Sequence, residues 1–518
     1  MALVQLFIAA FLLVALRPLV IYLYDSKNLR KYPTQNPLSG LTNLASIRER
    51  LRPFRTRDLY LQHQKHPIIR VAPDILSFRD VAAIKDVYSF SSPCQKHEMY
   101  KLQNGEGHLN ILNVVDREEH SRKRRMLSHA FSTKNLEAWE FKITDKVEKL
   151  VAQLDRRALA PSGEDPSGRQ GDGYVDVRYW FNLFTVDAIA DIALSERLGM
   201  LESGSDLVKV VGPHGESLLH HFIADMHKAA RVKSKIIGTL DWYHILKEVS
   251  AFFSSRCRLQ WDCGRKVGQT VSYLARKRLE RYKDGEEIDD FLSCLIKDKA
   301  GKARDLDMAE LTAETNILLD AGSETTAIAL THLLYYLTKN PRCFSKLREE
   351  VSDALSGEQL VAPYSKVRNL PYLKACIEES LRLSPPLPRG LERITPPSGA
   401  YIMGTFIPGN IGVSVPAYVT HRDPGIFPDP EAFLPERWID KNANIAKMRE
   451  AFIPFSAGGR ACIGRNITMI EQQILIATLV HRYDFALPAP EWTLRNEEAF
   501  NLWPVELQVR IWMRGGGV

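Results

Sequence analysis

Hydrophobic positions along this chain recur with several different periods, and each period predicts a different kind of element. From Met1 to Leu16 no side chain is charged; Arg17-Pro18 interrupts, Leu19 to Tyr24 resumes the apolar run, and Asp25, Lys27, Arg30 and Lys31 end it. About twenty apolar residues cross a bilayer, so 1–24 is expected to be a transmembrane helix, with Arg17 at an interface or snorkelling toward one. A cleaved signal peptide fits less well, because there is no basic leading segment and no A-x-A site. The cations after the segment place the remainder of the chain on the cytosolic side, and Pro33, Pro37 and Gly40 make 25–44 a linker.

Ile68 to Phe78, I-I-R-V-A-P-D-I-L-S-F, reads as two short strands around a turn. Helical patterns dominate from Arg117 onward. Met308 to Asn340 contains no proline and only one glycine, Gly322, which predicts a single long helix. A second helix is expected to end at Pro385-Pro386, and an apolar run from Ile467 to Val480 predicts a third. Leu391 to Val415 is rich in Gly, Pro and β-branched residues and predicts further sheet. The fold class is therefore mainly α with small β-sheets.

Composition changes this picture in three ways. At 518 residues and 45% hydrophobic, the chain can bury a large core, and length alone would suggest three domains. No internal repeat appears, however, and the low-complexity break Ala160 to Gly173 reads as a loop inserted between helices, so 45–518 is expected to be one domain. A net charge of +7, widely spread, gives nucleic-acid binding little support. Seven irregularly placed cysteines form no disulfide framework and suit a reducing compartment.

The most informative chemistry lies at Phe455 to Gly464, F-S-A-G-G-R-A-C-I-G. One cysteine, Cys462, sits in a loop whose glycines at 458, 459 and 464 permit tight turns and close approach to a flat group. Arg460 and the start of the following helix are expected to lower its thiol pKa. No neighbouring Cys or His completes a tetrahedral zinc set, whereas a single axial thiolate suits haem iron.

Phe455, Gly458, Arg460, Cys462 and Gly464 fit F-x-x-G-x-R-x-C-x-G, and the loop resembles the haem-binding loop of the cytochrome P-450 monooxygenases. The resemblance implies haem b with Cys462 as its axial ligand, in a single haem domain. It directs attention to A-C-I-E-E-S-L-R-L-S-P-P, where Glu379 and Arg382 share one helical face, and to F-L-P-E-R-W, which supplies Arg437. In the family such a trio forms a buried structural charge network behind the haem loop. In the long helix, A-G-S-E-T-T resembles the segment crossing the haem's distal face, so that Gly322 allows close approach, Thr325 donates toward bound dioxygen and Glu324 relays protons through water.

Asp116 to Ser132, D-R-E-E-H-S-R-K-R-R-M-L-S-H-A-F-S, places His120 and Arg124 one turn apart, where the family reaches a haem propionate; Arg393 and Arg460 are further candidates. Arg122, Lys123 and Arg125 form either a solvated basic face or a docking patch for an acidic electron donor. The resemblance further implies an NADPH-dependent cytochrome P-450 reductase as partner, with cytochrome b5 as a second, and an endoplasmic-reticulum signal anchor. The sequence style is similar to fungal members that oxidise terpenoids and polyketides, and to the benzoate para-hydroxylase group. A hydrophobic substrate is expected, with Ser92–Leu112, Val211–Phe253, Asp320–Thr325 and Leu387–Arg393 as pocket segments. A haem-thiolate isomerase or dehydratase would often lack the acid-alcohol pair, and a haem carrier or sensor would need neither that pair nor a docking face.

Overall fold

A computed structural model describes residues 5, 16–103, 107–158, 173–212, 215–298, 301–304, 307–355, 360–439 and 444–514. The expected anchor at 1–24 lies mostly outside the described residues, as does the loop expected at 160–173. Leu16 to Tyr24 is helical with most of its side chains exposed. Among the described residues no helix is long and apolar enough to cross a membrane.

The elements that build the cavity wall begin with α1 (Ala45–Arg50) and α2 (Arg55–His63). Strands β1 (Ile68–Ala72) and β2 (Ile75–Phe78) form the expected antiparallel pair, with Ile69 opposite Ser77. A two-residue strand comes next, β3 (Gln95–Lys96). Helix α3 (Arg117–Ser128) starts at Asp116, whose carboxylate accepts from the Glu119 amide at 2.7 Å and satisfies one orphan donor of the first turn.

Helix α4 (Val177–Leu194) buries every residue except Tyr179, the signature of a helix at the centre of a large core. Then come α5 (Phe222–Ile236), α6 (Tyr243–Phe253) and α7 (Ser255–Lys283). The long helix α8 spans Met308–Lys339, capped by Asp307, which accepts from the Glu310 amide at 2.7 Å, and ended before Pro341. Helix α9 (Pro371–Leu383) opens on a proline, where no amide is needed, and stops before Pro385-Pro386 as its sequence predicts. Strands β4 (Arg393–Ile394) and β5 (Gly412–Ser414) lie in the expected sheet region, and α10 (Arg465–Arg482) succeeds the cysteine loop.

The five strands order as β1-β2-β5-β4-β3. β5 runs parallel to β2 and antiparallel to β4, and β4 pairs with β3 so that Arg393 stands opposite Lys96. A helical core joins α4, α8, α9 and α10 through side chains such as Phe184, Leu330, Ile377 and Ile474, while the sheet has its own cluster around Leu76, Phe78, Val413 and Ile453. The cysteine loop, 455–464, lies between these two bodies.

Gly322 departs from expectation in what it approaches. A Cβ there would stand 2.7 Å from Ile189 Cγ1, so the glycine lets α8 pack closely on α4, in addition to lining the cavity. Gly322→Val is expected to destabilise the protein by roughly 1–3 kcal/mol through overpacking, read as a fall in the urea midpoint; an unchanged midpoint would show that α4 and α8 tolerate separation.

Candidate functional site

A cavity of about 940 Å³ opens above Cys462. Ile317, Gly322, Thr325 and Thr326 of α8 form one wall, and Phe455, Ser456, Arg460, Ile463 and Gly464 of the cysteine loop form another. The loop is closed by the Cys462 amide, which donates to the Phe455 carbonyl at 2.9 Å. Its conformation requires glycine at one position: Gly458 has φ +66°, and a Cβ there would lie 1.9 Å from the Tyr88 carbonyl oxygen.

The Cys462 thiol faces the cavity. Burial pushes its pKa up, against the expected lowering; the Gly464 and Arg465 amides and the Arg124 and Arg465 guanidiniums pull it down without overcoming burial. Arg460, expected to supply that pull, turns its guanidinium to the Val114 and Val115 carbonyls, both at 2.6 Å. Arg124 is the arginine of α3 that acts on the sulfur, and its Nη1 donates to the Ala461 carbonyl at 2.7 Å.

On the sheet side of the loop a group of cations gathers. His120, Arg393 and Lys96 are all buried, and sheet register sets Lys96 directly opposite Arg393. Like charges opposite one another on adjacent strands repel. Burial followed by Arg460, Lys96 and Arg124 lowers His120 to about 3, and burial followed by Arg393 and Arg117 lowers Arg460 to about 10. Burial, Arg393 and Arg460 also depress the Lys96 ammonium well below its usual range. Asp116 is the acid that offsets Arg460. Such a cluster, which reaches the cavity through Arg460, fits a dianionic group, and a thiol facing the cavity fits a metal; together they suit a haem with two propionates and one thiolate. Lys96 went unrecognised in the sequence because only strand register, across nearly three hundred residues, brings it to Arg393.

Behind the loop, Glu379 is fully buried. Its carboxylate accepts from Arg382 Nε at 2.9 Å and Nη2 at 2.8 Å, from Arg437 Nε at 3.0 Å, from the Trp438 indole at 2.9 Å and from the Leu434 amide at 3.0 Å. Arg382 also donates to the carbonyls of His421, Pro430 and Ala432. His421 Nε2 then accepts from the Ile453 amide at 2.9 Å, two residues before the loop begins. The structure thus brings Glu379, Arg382 and Arg437 together and ties them to the cysteine loop.

Glu324 and Thr325 separate. Successive helix positions point about 100° apart, and Thr325 lines the cavity while its hydroxyl donates to the Ala321 carbonyl at 2.8 Å. Glu324 is buried away from the cavity wall, paired with Arg178 of α4 and, at 2.5 Å, with His227 Nε2 of α5. Burial alone would raise its pKa, but Arg178 and His227 prevail and hold it down to about 2. The cavity acid on this helix is instead Asp320, raised to about 6 by burial and Glu324 and moderated by Lys233. Arg178 and His227 were not recognised in the sequence, since nothing local marks an arginine and a histidine from distant helices as partners of one carboxylate.

The basic stretch of α3 is also less exposed than expected. Lys123 is buried against Glu310 at 2.6 Å and Glu314 at 3.0 Å of α8, and Arg122 pairs with Glu119 at 2.7 Å and with Glu310. Arg125 remains exposed.

The cytochrome P-450 family model matches residues 76–510. The benzoate 4-monooxygenase bphA of Aspergillus niger is 31% identical over 502 residues, covering 95% of this chain and 94% of that protein. The cytochrome P-450 monooxygenase olcB of Penicillium canescens is 30% identical over 470 residues, covering 89% and 88%. The cytochrome P-450 monooxygenase efuB of Hormonema carpetanum is 31% identical over 458 residues, covering 87% and 84%.

Glu379→Gln removes the charge that two buried guanidiniums share and is expected to cost about 3–5 kcal/mol, measured as a lower denaturant midpoint with loss of haem retention. Full haem content with an unchanged midpoint would mean that the network does not support the loop.

Proposed function

This chain belongs to the cytochrome P-450 family and is a monooxygenase, and from that premise we propose that it inserts one oxygen atom into a hydrophobic organic substrate of fungal secondary metabolism. The observation that carries the reading is the pairing of one cavity-facing thiol with Arg460, which lines the same cavity and heads a buried basic cluster of Lys96, His120 and Arg393. Cys462 would hold the haem iron, and Arg460, Lys96, Arg393 and His120 would surround its propionates. Haem bound in this way supplies oxygen activation, with the thiolate favouring O–O cleavage.

The chain's own residues supply the surroundings. Thr325 presents a hydroxyl to the cavity and can hold a proton or an ordered water there. Glu324 acts one step further back: its carboxylate is fixed by Arg178 and His227, so proton passage requires one of those contacts to loosen. His227 is the candidate, because it belongs to α5, which also lines the substrate cavity through Phe222, Met226 and Lys233. Apolar side chains of α5, α7 and α8 restrict water at the reacting position.

Electrons would come from an NADPH-dependent reductase docking on the face that carries Arg125. Attachment to the endoplasmic-reticulum membrane is supported by the apolar segment 1–24 and by α6, where Ile245, Val249, Phe252 and Phe253 are exposed together. A second reading, hydroxylation of an aromatic acid, is favoured by the benzoate 4-monooxygenase of Aspergillus niger among the relatives.

Cys462→Ser is expected to abolish the strongly red-shifted band of the reduced carbon monoxide complex, and survival of that band would refute the ligand assignment. Thr325→Ala is expected to retain that band and to lower product formed per NADPH consumed by reconstituted enzyme, releasing peroxide instead. Unchanged coupling would remove Thr325 from proton management.

A further inference from the structure

The cavity above Cys462 extends to α1 and α2, where it meets a second group of buried charges. Arg50, Arg55, Arg389 and Glu392 all line it. Arg55 donates through Nε to Glu498 at 2.7 Å and through Nη2 to the Ala499 carbonyl at 2.8 Å. Arg389 Nη2 lies 2.6 Å from Glu392. Both carboxylates therefore form their ion pairs with guanidiniums other than Arg50.

Arg50 keeps one neutral contact: its Nη1 donates to the Ser234 carbonyl at 3.2 Å. Among the described residues no carboxylate forms an ion pair with it. The adjacent Glu49 turns to Asn36 at 3.1 Å and Arg52 at 3.6 Å. Arg50 is nevertheless only 8% exposed. Burial first, then Arg55 and Arg389, push its pKa well below the usual guanidinium range, and Glu392 and Glu498 offset this only in part. Room for the group is made by Gly238, where a Cβ would stand 2.3 Å from Nη2.

Three guanidiniums, Arg50, Arg55 and Arg389, here share the two carboxylates Glu392 and Glu498; a buried cation in excess is costly, and helix packing alone does not call for one, because an apolar side chain would tie α1 to α5 without that cost. A planar guanidinium lining a mainly apolar cavity is suited to a carboxylate, which it can bind through two parallel hydrogen bonds. We propose that Arg50 anchors the carboxylate of the substrate, which is an amphipathic organic acid whose apolar body extends along the cavity toward Cys462. The assignment rests on the monooxygenase reading, since it makes this cavity the substrate site; it applies equally to a carboxylated polyketide or terpenoid and to an aromatic acid. Arg50 is then a specificity determinant rather than a catalytic residue.

The test is a titration of the haem-loaded full-length protein, following the Soret shift, with two matched pairs: benzoic acid and methyl benzoate, and dodecanoic acid and methyl dodecanoate. For a pair that shifts the spectrum, the acid is expected to bind at least about tenfold more tightly than its ester. Arg50→Met should abolish that ratio by weakening the acid alone, and Arg50→Lys should retain part of it. Equal binding by the unaltered protein, preference for the esters, no shift with any of the four compounds, or a preference that survives in Arg50→Met would each overturn the proposal. The reduced carbon monoxide spectrum of the same preparations separates the two readings: its absence from the unaltered protein defeats the haem-thiolate assignment, not the Arg50 assignment. If Arg50→Met alone loses the spectrum, Arg50→Gln takes its place in the comparison.

Discussion

The carboxylate of Glu379 is the interaction on which the rest of the site depends. It sits without solvent contact and accepts from two arginines, an indole and a backbone amide. An anion in that position is tolerated only while every acceptor site is engaged. The requirement holds the C-terminal end of α9 against the segment 421–438, and through His421 it fixes the Ile453 amide. A loop that must present one sulfur at a defined point thus starts from a rigid support, and Gly458, pressed against the Tyr88 carbonyl, fixes it again within the loop.

The same rule, that a buried charge must find a partner, is met in three ways in this molecule. Glu379 is satisfied within the protein. The basic cluster of Lys96, His120, Arg393 and Arg460 is brought together with Asp116 as the acid that offsets Arg460, and burial with the neighbouring cations depresses His120 and Arg460; a dianionic cofactor edge would supply further negative charge. Arg50 stands farther along the cavity, with its nearest carboxylates already committed to Arg55 and Arg389. Basic side chains thus line the cavity both at Arg460, beside the cysteine loop, and at Arg50, beside α1.

On α8 the acid and the alcohol divide the work between two faces. Thr325 faces the reaction space, whereas Glu324 joins α4 and α5 through Arg178 and His227. Arg178 and His227 thereby hold the carboxylate ionised on the face turned from the cavity. The His227 contact also ties that face of α8 to α5, an element that lines the cavity.

Much of the fold was legible from periodicity and breakers. The long helix was read from proline-free apolar spacing and runs Met308–Lys339, the two strands of Ile68 to Phe78 follow their β-branched residues, and Pro385-Pro386 marks the end of α9. Local signals also marked Cys462 and the Glu379-Arg382 pair, because a loop and a single helical turn are set by residues close in sequence. Direction and partnership were not legible. That Glu324 turns from the cavity, that Lys123 is buried against Glu310 and Glu314, that Gly322 serves the contact with Ile189, that Lys96 stands opposite Arg393 and that Arg50 lines the cavity all follow from packing between distant segments. Sequence by itself determined which residue types and turns were available, since these depend on neighbours along the chain; tertiary structure alone decided which charges were paired and which line the cavity, since burial and distance exist only once the helices have packed.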